Sequence, residues 1–240
     1  RESRRMNNHI NTELLLNYTN GNVEPALSLA IALHQKQCKS CHQKISDLES
    51  NFGHDIETSE SSDFEESSFE RLITDLDKLS KVENSVSHAP KNVDRENINV
   101  VDFGVDDTLS YAVAEINKPL LDQLANFNQD DYQWQKLSSK ISTTTLELFD
   151  SSFKVNLLRF SAHAKIPRHT HLGKEFTYVI EGDFKDHKGT HTAGDFIACD
   201  ASDEHKPIVG AAGCVCLAIT DAPLHFTGVL GPIFNKYASY

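Results

Sequence analysis

Residues 169–175 read His169-Thr170-His171-Leu172-Gly173-Lys174-Glu175, and this stretch decides how the second half of the chain is read. Residues two apart on a strand point the same way, so a strand through 169–171 aims two imidazoles at one ion. Glu175 can join them from the next strand, and His205, thirty positions on, can close the set from a later strand that pairs across the barrel. Outward from this point, Thr143 to Phe149, Lys154 to Ala162, Glu175 to Glu181, Asp195 to Cys199 and Val215 to Ile219 are enriched in β-branched and aromatic residues between turn residues. Short strands of this kind predict an antiparallel β-barrel or double-sheet jelly roll. Ordinary surface residues on strand ends are the plainer alternative for the four polar side chains.

A second constellation lies near the start, in His34-Gln-Lys-Gln-Cys38-Lys-Ser-Cys41. Its imidazole and two thiols fall at i, i+4 and i+7, one face of a predicted helix. An amphipathic setting surrounds them, with Leu14, Leu15, Tyr18, Leu27, Ala30, Ile31 and Leu33 upstream and Ile45 and Leu48 downstream. Tetrahedral zinc requires a fourth ligand, and the one histidine upstream is His9, at the start of the helix-like stretch Asn11 to Tyr18. Two rival readings stand beside zinc. Cys38 and Cys41 could be small core residues, and Cys38-Lys-Ser-Cys41-His42 matches the C-x-x-C-H haem attachment motif, which belongs outside the cytoplasm.

Composition bounds the function. At 240 residues and 39% hydrophobic content the chain can bury real cores, with no membrane span in its sequence. A net charge of −12 argues against direct nucleic-acid binding, which needs a basic surface, and suits a basic partner. No N-terminal stretch has the apolar core of a secretory signal, and Arg1 to Arg5 read as a vector remnant or upstream read-through before Met6, so a cytoplasmic location is expected. Five cysteines at low density do not describe a disulfide framework.

From Asp47 to Glu83 the chain is dense in Asp, Glu and Ser, yet Phe64, Phe69, Leu72, Ile73, Leu76 and Leu79 recur at helical spacing. That pattern predicts an acidic amphipathic helix with a flexible approach, although Glu57 to Glu70 alone would also suit a solubilising linker. Apolar periodicity lapses from Ser85 to Asn97, around Pro90, which marks a linker. The expected organisation is an α + β chain: a small helical bundle with structural zinc over residues 6–84, a linker over 85–108 and a β domain over 109–240.

These motifs carry a resemblance. His9, His34, Cys38 and Cys41 resemble the zinc-binding anti-sigma family, with its H-x3-C-x2-C and a histidine near the N-terminus. His169, His171, Glu175 and His205 are similar to the cupin pattern, H-x-H-x3,4-E in a first motif and one histidine in a second, with Gly182 and Gly194 where cupins place turn glycines. The cupin likeness covers roughly residues 109 to 225. Taken together the chain resembles the ChrR-type anti-sigma factors, in which a zinc domain is fused to a cupin. It departs from the cupin pattern at His163, Asp200, Ser202 and Val209, where that pattern has glycine, proline, glycine and asparagine.

The resemblance implies a regulator and not an enzyme. In that family the N-terminal bundle wedges into an extracytoplasmic-function sigma factor and blocks its contacts with RNA polymerase, and its zinc is structural. The Phe64 to Leu79 helix would then lie in a groove between sigma regions, its carboxylates meeting basic surface. The cupin would sense singlet oxygen or related oxidants. Its metal would be zinc by resemblance, though three imidazoles and a carboxylate also suit Mn, Fe, Ni or Co. Candidate points of signal entry are the ligands around His169, His171 and His205, the thiols of Cys199, Cys214 and Cys216, or a small molecule bound in the barrel. Cys214 and Cys216 also read as core residues on one strand face, as Cys199 does. His163 and His187 read as polar residues of the barrel mouth or loops, His163 being the one that could approach the metal. A metal-dependent cupin enzyme, a dioxygenase or isomerase, is the alternative; it would explain the second half alone.

Overall fold

The structure is a computed structural model that describes residues 8–58, 118–148 and 151–227. Helix α1 (Thr12–Thr19) begins where Asn11, in an extended conformation, accepts the Leu14 N–H on its side chain and satisfies a donor that the first turn leaves open. Helix α2 (Pro25–Gln37) opens on a proline, whose missing N–H costs nothing there, and the Glu24 carboxylate accepts the Ala26 N–H. Every residue from Ala26 to His34 is buried, as befits a helix that is apolar around its whole circumference.

His34, Cys38 and Cys41 do not lie on one helix, as their spacing had suggested. Helix α2 ends at Gln37, Cys38 leaves helical geometry at φ −102° and ψ 97°, and α3 (Lys39–Thr58) begins at once, with the His42 N–H donating to the Cys38 carbonyl. Geometry gives the reason. On a continuous helix positions 34 and 41 stand about 10.5 Å apart along the axis, whereas the break swings Cys41 back until its Sγ is 3.3 Å from His34 Nε2.

Asp47 to Thr58, expected as a flexible approach, continue α3. The Phe64 to Leu79 segment, the linker over 85–108 and both expected domain boundaries lie outside the described residues. By contacts, the described residues 8–50, 118–148 and 151–227 belong to one compact unit.

After α4 (Lys118–Ala125) and a 3-10 turn at Gln129–Asp131, the described chain is all strand. The larger sheet runs β1 (Gln135–Lys136), β2 (Ile141–Leu146), β3 (Lys154–Phe160), β9 (Ile208–Thr220), β5 (Glu175–Asp186) and β6 (Gly189–Thr192), with β7 (Phe196–Cys199) also paired to β5. The smaller sheet is β10 (Leu224–Phe226), β4 (His169–His171) and β8 (Glu204–His205). Every strand pair is antiparallel. The expected α + β architecture, helices followed by an antiparallel cupin-type double sheet, is the fold of the described residues.

The middle of the larger sheet is buried on both faces, and β9 shows why its sequence is an unbroken apolar run. Leu217 and Ile219 face α2 in one core with Leu29, Ile31, Leu33, Phe176 and Tyr178, while Cys214 and Cys216 face the barrel interior with Val179, Phe184 and Ile197. Burial of Leu29, Ile31 and Leu33 contributes about 1.5–3 kcal/mol per side chain. Gly182, expected in a turn, instead sits inside β5 at a bulge against β9. Its φ is +73°, and a Cβ there would lie 2.0 Å from the Gly213 carbonyl oxygen, so only glycine fits.

Candidate metal centres

The break at Cys38 assembles the first cluster. His9, in the segment before α1, joins His34 from α2, Cys38 from the junction and Cys41 from α3, and one ligand atom of each lies within 4.8 Å of all the others. His9 Nδ1 is 3.2 Å from Cys38 Sγ and 3.7 Å from Cys41 Sγ. A tetrahedral site with zinc–sulfur bonds near 2.3 Å and zinc–nitrogen bonds near 2.0–2.1 Å has nitrogen-to-sulfur edges of about 3.6 Å. The donor set therefore fits a four-coordinate zinc ion.

Orientation of the first cluster comes from the barrel. His34 is fully buried, and its Nδ1–H donates to the Gly194 carbonyl at 2.8 Å, which commits the other ring nitrogen, Nε2, to the thiols. Gly194 holds this turn at φ +95°. Burial lowers the His34 pKa, favouring the neutral ligand form, and raises the Cys41 thiol to about 11, so an uncompensated thiolate is disfavoured at this point. A bound cation reverses that preference. His42 begins the exposed face of α3, away from the thiols.

Pleat and register build the second cluster. On β4, His169 and His171 point inward and are both buried, and the β4–β8 register sets His169 directly opposite His205. Glu175 enters from the first position of β5. One ligand atom from each of these four residues lies within 4.8 Å of the others.

Hydrogen bonds fix the ring protons of the second cluster. His169 donates its Nδ1–H to the Pro167 carbonyl and His205 donates its Nδ1–H to Asp186 Oδ2, so each presents an unprotonated Nε2. Those two lone pairs face one another at 2.8 Å. Such a pair repels unless a cation lies between or beside it, so the arrangement suits a metal ion. His171 Nε2 is 2.7 Å from Glu175 Oε2, while its Nδ1 is buried without a hydrogen-bond partner. Burial lowers the His169 pKa to about 4. For His171 burial is outweighed by the hydrogen bond and charge of Glu175, which raise its pKa; for Glu175 burial is outweighed by the three imidazoles, which lower it.

Beside these ligands an apolar cavity of about 80 Å³ is lined by Leu158, Phe160, Ile166, Phe184, Val209 and Leu224. Cys216 also borders it, and its Sγ is 3.4 Å from that of Cys214; that hydrogen bond, with burial, pushes the Cys216 thiol far up its scale. Cys199 is buried too and raised to about 12. His163 is exposed at a turn with φ +57° and His187 is exposed in the β5–β6 loop, so neither ring enters the ligand set.

Two buried residues beside the sites had escaped the sequence reading. Asp186 bridges His205 and His191, and His191 bonds onward to Asn8. Nothing in their spacing marks them, because their partners are supplied by strand register and by the N-terminal segment.

Comparison with known proteins adds independent findings. Residues 122–223 match the family model described as the ChrR cupin-like domain. The anti-sigma-E factor ChrR of Cereibacter sphaeroides is 26% identical over 230 residues, spanning 95% of this chain and 96% of that protein. In the crystal structure of Rhodobacter sphaeroides SigE in complex with the anti-sigma ChrR, one chain superposes with a TM-score of 0.62 at 22% identity, covering 90% of this chain and 100% of that one. The resemblance read from the motifs thus extends along nearly the whole chain. Among the described residues no helix is long and apolar enough to cross a membrane.

Proposed function

We propose that this protein is a zinc-dependent anti-sigma factor, a regulator and not an enzyme, which sequesters an extracytoplasmic-function sigma factor in the cytoplasm. The observation that carries this reading is the near full-length similarity to the anti-sigma-E factor ChrR, in a chain whose His9, His34, Cys38 and Cys41 converge on one point. The proposed division of labour assigns sigma binding to residues 6–84 and sensing to a cupin over 109–240, joined by a linker over 85–108.

Zinc held by His9, His34, Cys38 and Cys41 would supply folding free energy and leave no open position for chemistry. The protein's own residues do the rest. Leu15, Tyr18, Leu29, Ile31 and Leu33 pack the helices, and the four ligands cross-link the segment before α1 to the α2–α3 junction. In the cupin, His169, His171, Glu175 and His205 would hold zinc or another divalent ion (Mn, Fe or Ni), with the adjacent cavity admitting a small apolar molecule. Singlet oxygen or a related oxidant, acting at this site, would bias the chain toward release of the sigma factor.

Co-expression with an extracytoplasmic-function sigma factor, followed by size-exclusion chromatography, tests the reading. A stable complex is expected for the full chain and for the His169→Ala/His171→Ala variant, with oxidant-induced release lost in the variant alone. Absence of a complex, together with substrate-dependent oxygen uptake by the protein, would favour the enzyme.

A further inference from the structure

We infer that the β5–β6 hairpin couples the two metal centres through one continuous chain of part-buried hydrogen bonds, with Asp186, His191 and Asn8 as its positioning residues. The inference rests on both clusters holding metal, as proposed above. From the cupin side, His205 Nδ1–H donates to Asp186 Oδ2 at 2.9 Å, His191 Nε2–H donates to Asp186 Oδ1 at 3.0 Å, and the Asn8 amide donates to His191 Nδ1 at 2.8 Å. Asn8 is covalently next to His9, a ligand of the other cluster. Three hydrogen bonds and one peptide link therefore join ligand to ligand.

The chain admits one assignment of protons. Asn8 can only donate through its amide nitrogen, so His191 accepts on Nδ1 and carries its proton on Nε2. Asp186 then accepts on both oxygens, which places the His205 proton on Nδ1 and leaves its Nε2 for the metal. Burial is complete at the middle of the chain, where the Asp186 side chain is 0% exposed and that of His191 is 1% exposed, so water is a poor substitute there; Asn8 is half-buried, and the Lys188 N–H also donates to Asp186 Oδ1 at 2.8 Å. A shift of the His205 ring is thus passed to the carboxylate and to His191, whose buried donor would otherwise be left unmade, and from His191 to Asn8. Metal ligation through His205 Nε2 also strengthens its Nδ1–H as a donor, tightening the same chain. The turn after β6 reinforces this path, since its Gly194 carbonyl holds His34, a second ligand of the N-terminal cluster.

Occupancy of the cupin site therefore pre-positions His9 and raises metal affinity at the thiolate site, and by linkage the reverse holds. The test uses the full chain and cobalt(II) as probe, because thiolate-to-cobalt charge transfer reports the Cys38/Cys41 site alone. Cobalt affinity of that site is measured by chelator competition in the native chain and in His171→Ala, which disables the cupin site without touching the chain of bonds. The native protein should bind about fivefold or more tightly at the thiolates than His171→Ala. In a His191→Phe background the same ratio should fall to about one.

Asn8→Ala, a change outside the barrel that leaves the sheets intact, should also bring the ratio toward one and covers the case in which His191→Phe does not fold. A ratio of one in the native protein, or one unchanged in Asn8→Ala, overturns the coupling while leaving both metal sites standing. Absence of any charge-transfer band in the native protein overturns the N-terminal metal site itself, and the coupling with it.

Discussion

The two clusters are built from the same number of ligands but to opposite ends. The first draws its four side chains from the segment before α1, from α2, from the α2–α3 junction and from α3, two of them thiols, and fits a closed tetrahedron. The second takes two imidazoles from one strand and one from its neighbour, adds a carboxylate, and opens beside an apolar cavity of about 80 Å³. Closure with thiolates suits a cross-link that substitutes for core, whereas nitrogen and oxygen ligands next to free volume suit exchange with a diffusing species. The difference teaches that a closed cross-link and a site open to exchange make different demands on donor chemistry and on the space around the ligands.

The largest effect is expected at the closed site. Cys38→Ser/Cys41→Ser should abolish metal binding there and unfold the N-terminal helices, because structural zinc in small domains is worth on the order of 10 kcal/mol of apparent binding free energy. Metal analysis and far-ultraviolet circular dichroism would show it; native helicity in the metal-free variant would remove the contrast between the sites. By contrast, His169→Ala/His171→Ala should lose metal from the second site alone, with one equivalent retained at the thiolates and the fold preserved.

Next comes the interface that orients the first site. Leu217→Ala removes a fully buried side chain from the core shared by α2 and the larger sheet and should cost roughly 2–5 kcal/mol in denaturant unfolding. The smallest effect is expected at Glu24, whose carboxylate caps α2 and accepts hydrogen bonds from Ser151 and Ser152 in the loop before β3. Glu24→Ala should cost about 1 kcal/mol, and no change in the midpoint would deny that this tether matters.

Legibility from sequence followed the same divide. The convergence of the cupin cluster was readable because strand periodicity alone puts His169 and His171 on one side, and β5, β7 and β9 announced themselves as apolar runs. Much of the N-terminal arrangement was not. The break at Cys38 carries no Gly or Pro, and Gln37-Cys38-Lys39 is compatible with helix, so tertiary contacts and ligand convergence override propensity there. Asp186 and His191 gained meaning only through the β5–β6 pairing and the arrival of Asn8, contacts between residues up to 183 apart in sequence. His163 was noted as replacing a motif glycine, and its left-handed φ shows that the backbone kept the glycine conformation while the side chain turned to solvent.

The contrast between the clusters is tested most directly by X-ray absorption at the zinc edge on the full chain carrying His171→Ala, in which only the first site remains intact. A first shell of two sulfur atoms near 2.3 Å and two nitrogen atoms near 2.0–2.1 Å is expected. A shell of nitrogen and oxygen alone would contradict a closed thiolate site at His9, His34, Cys38 and Cys41.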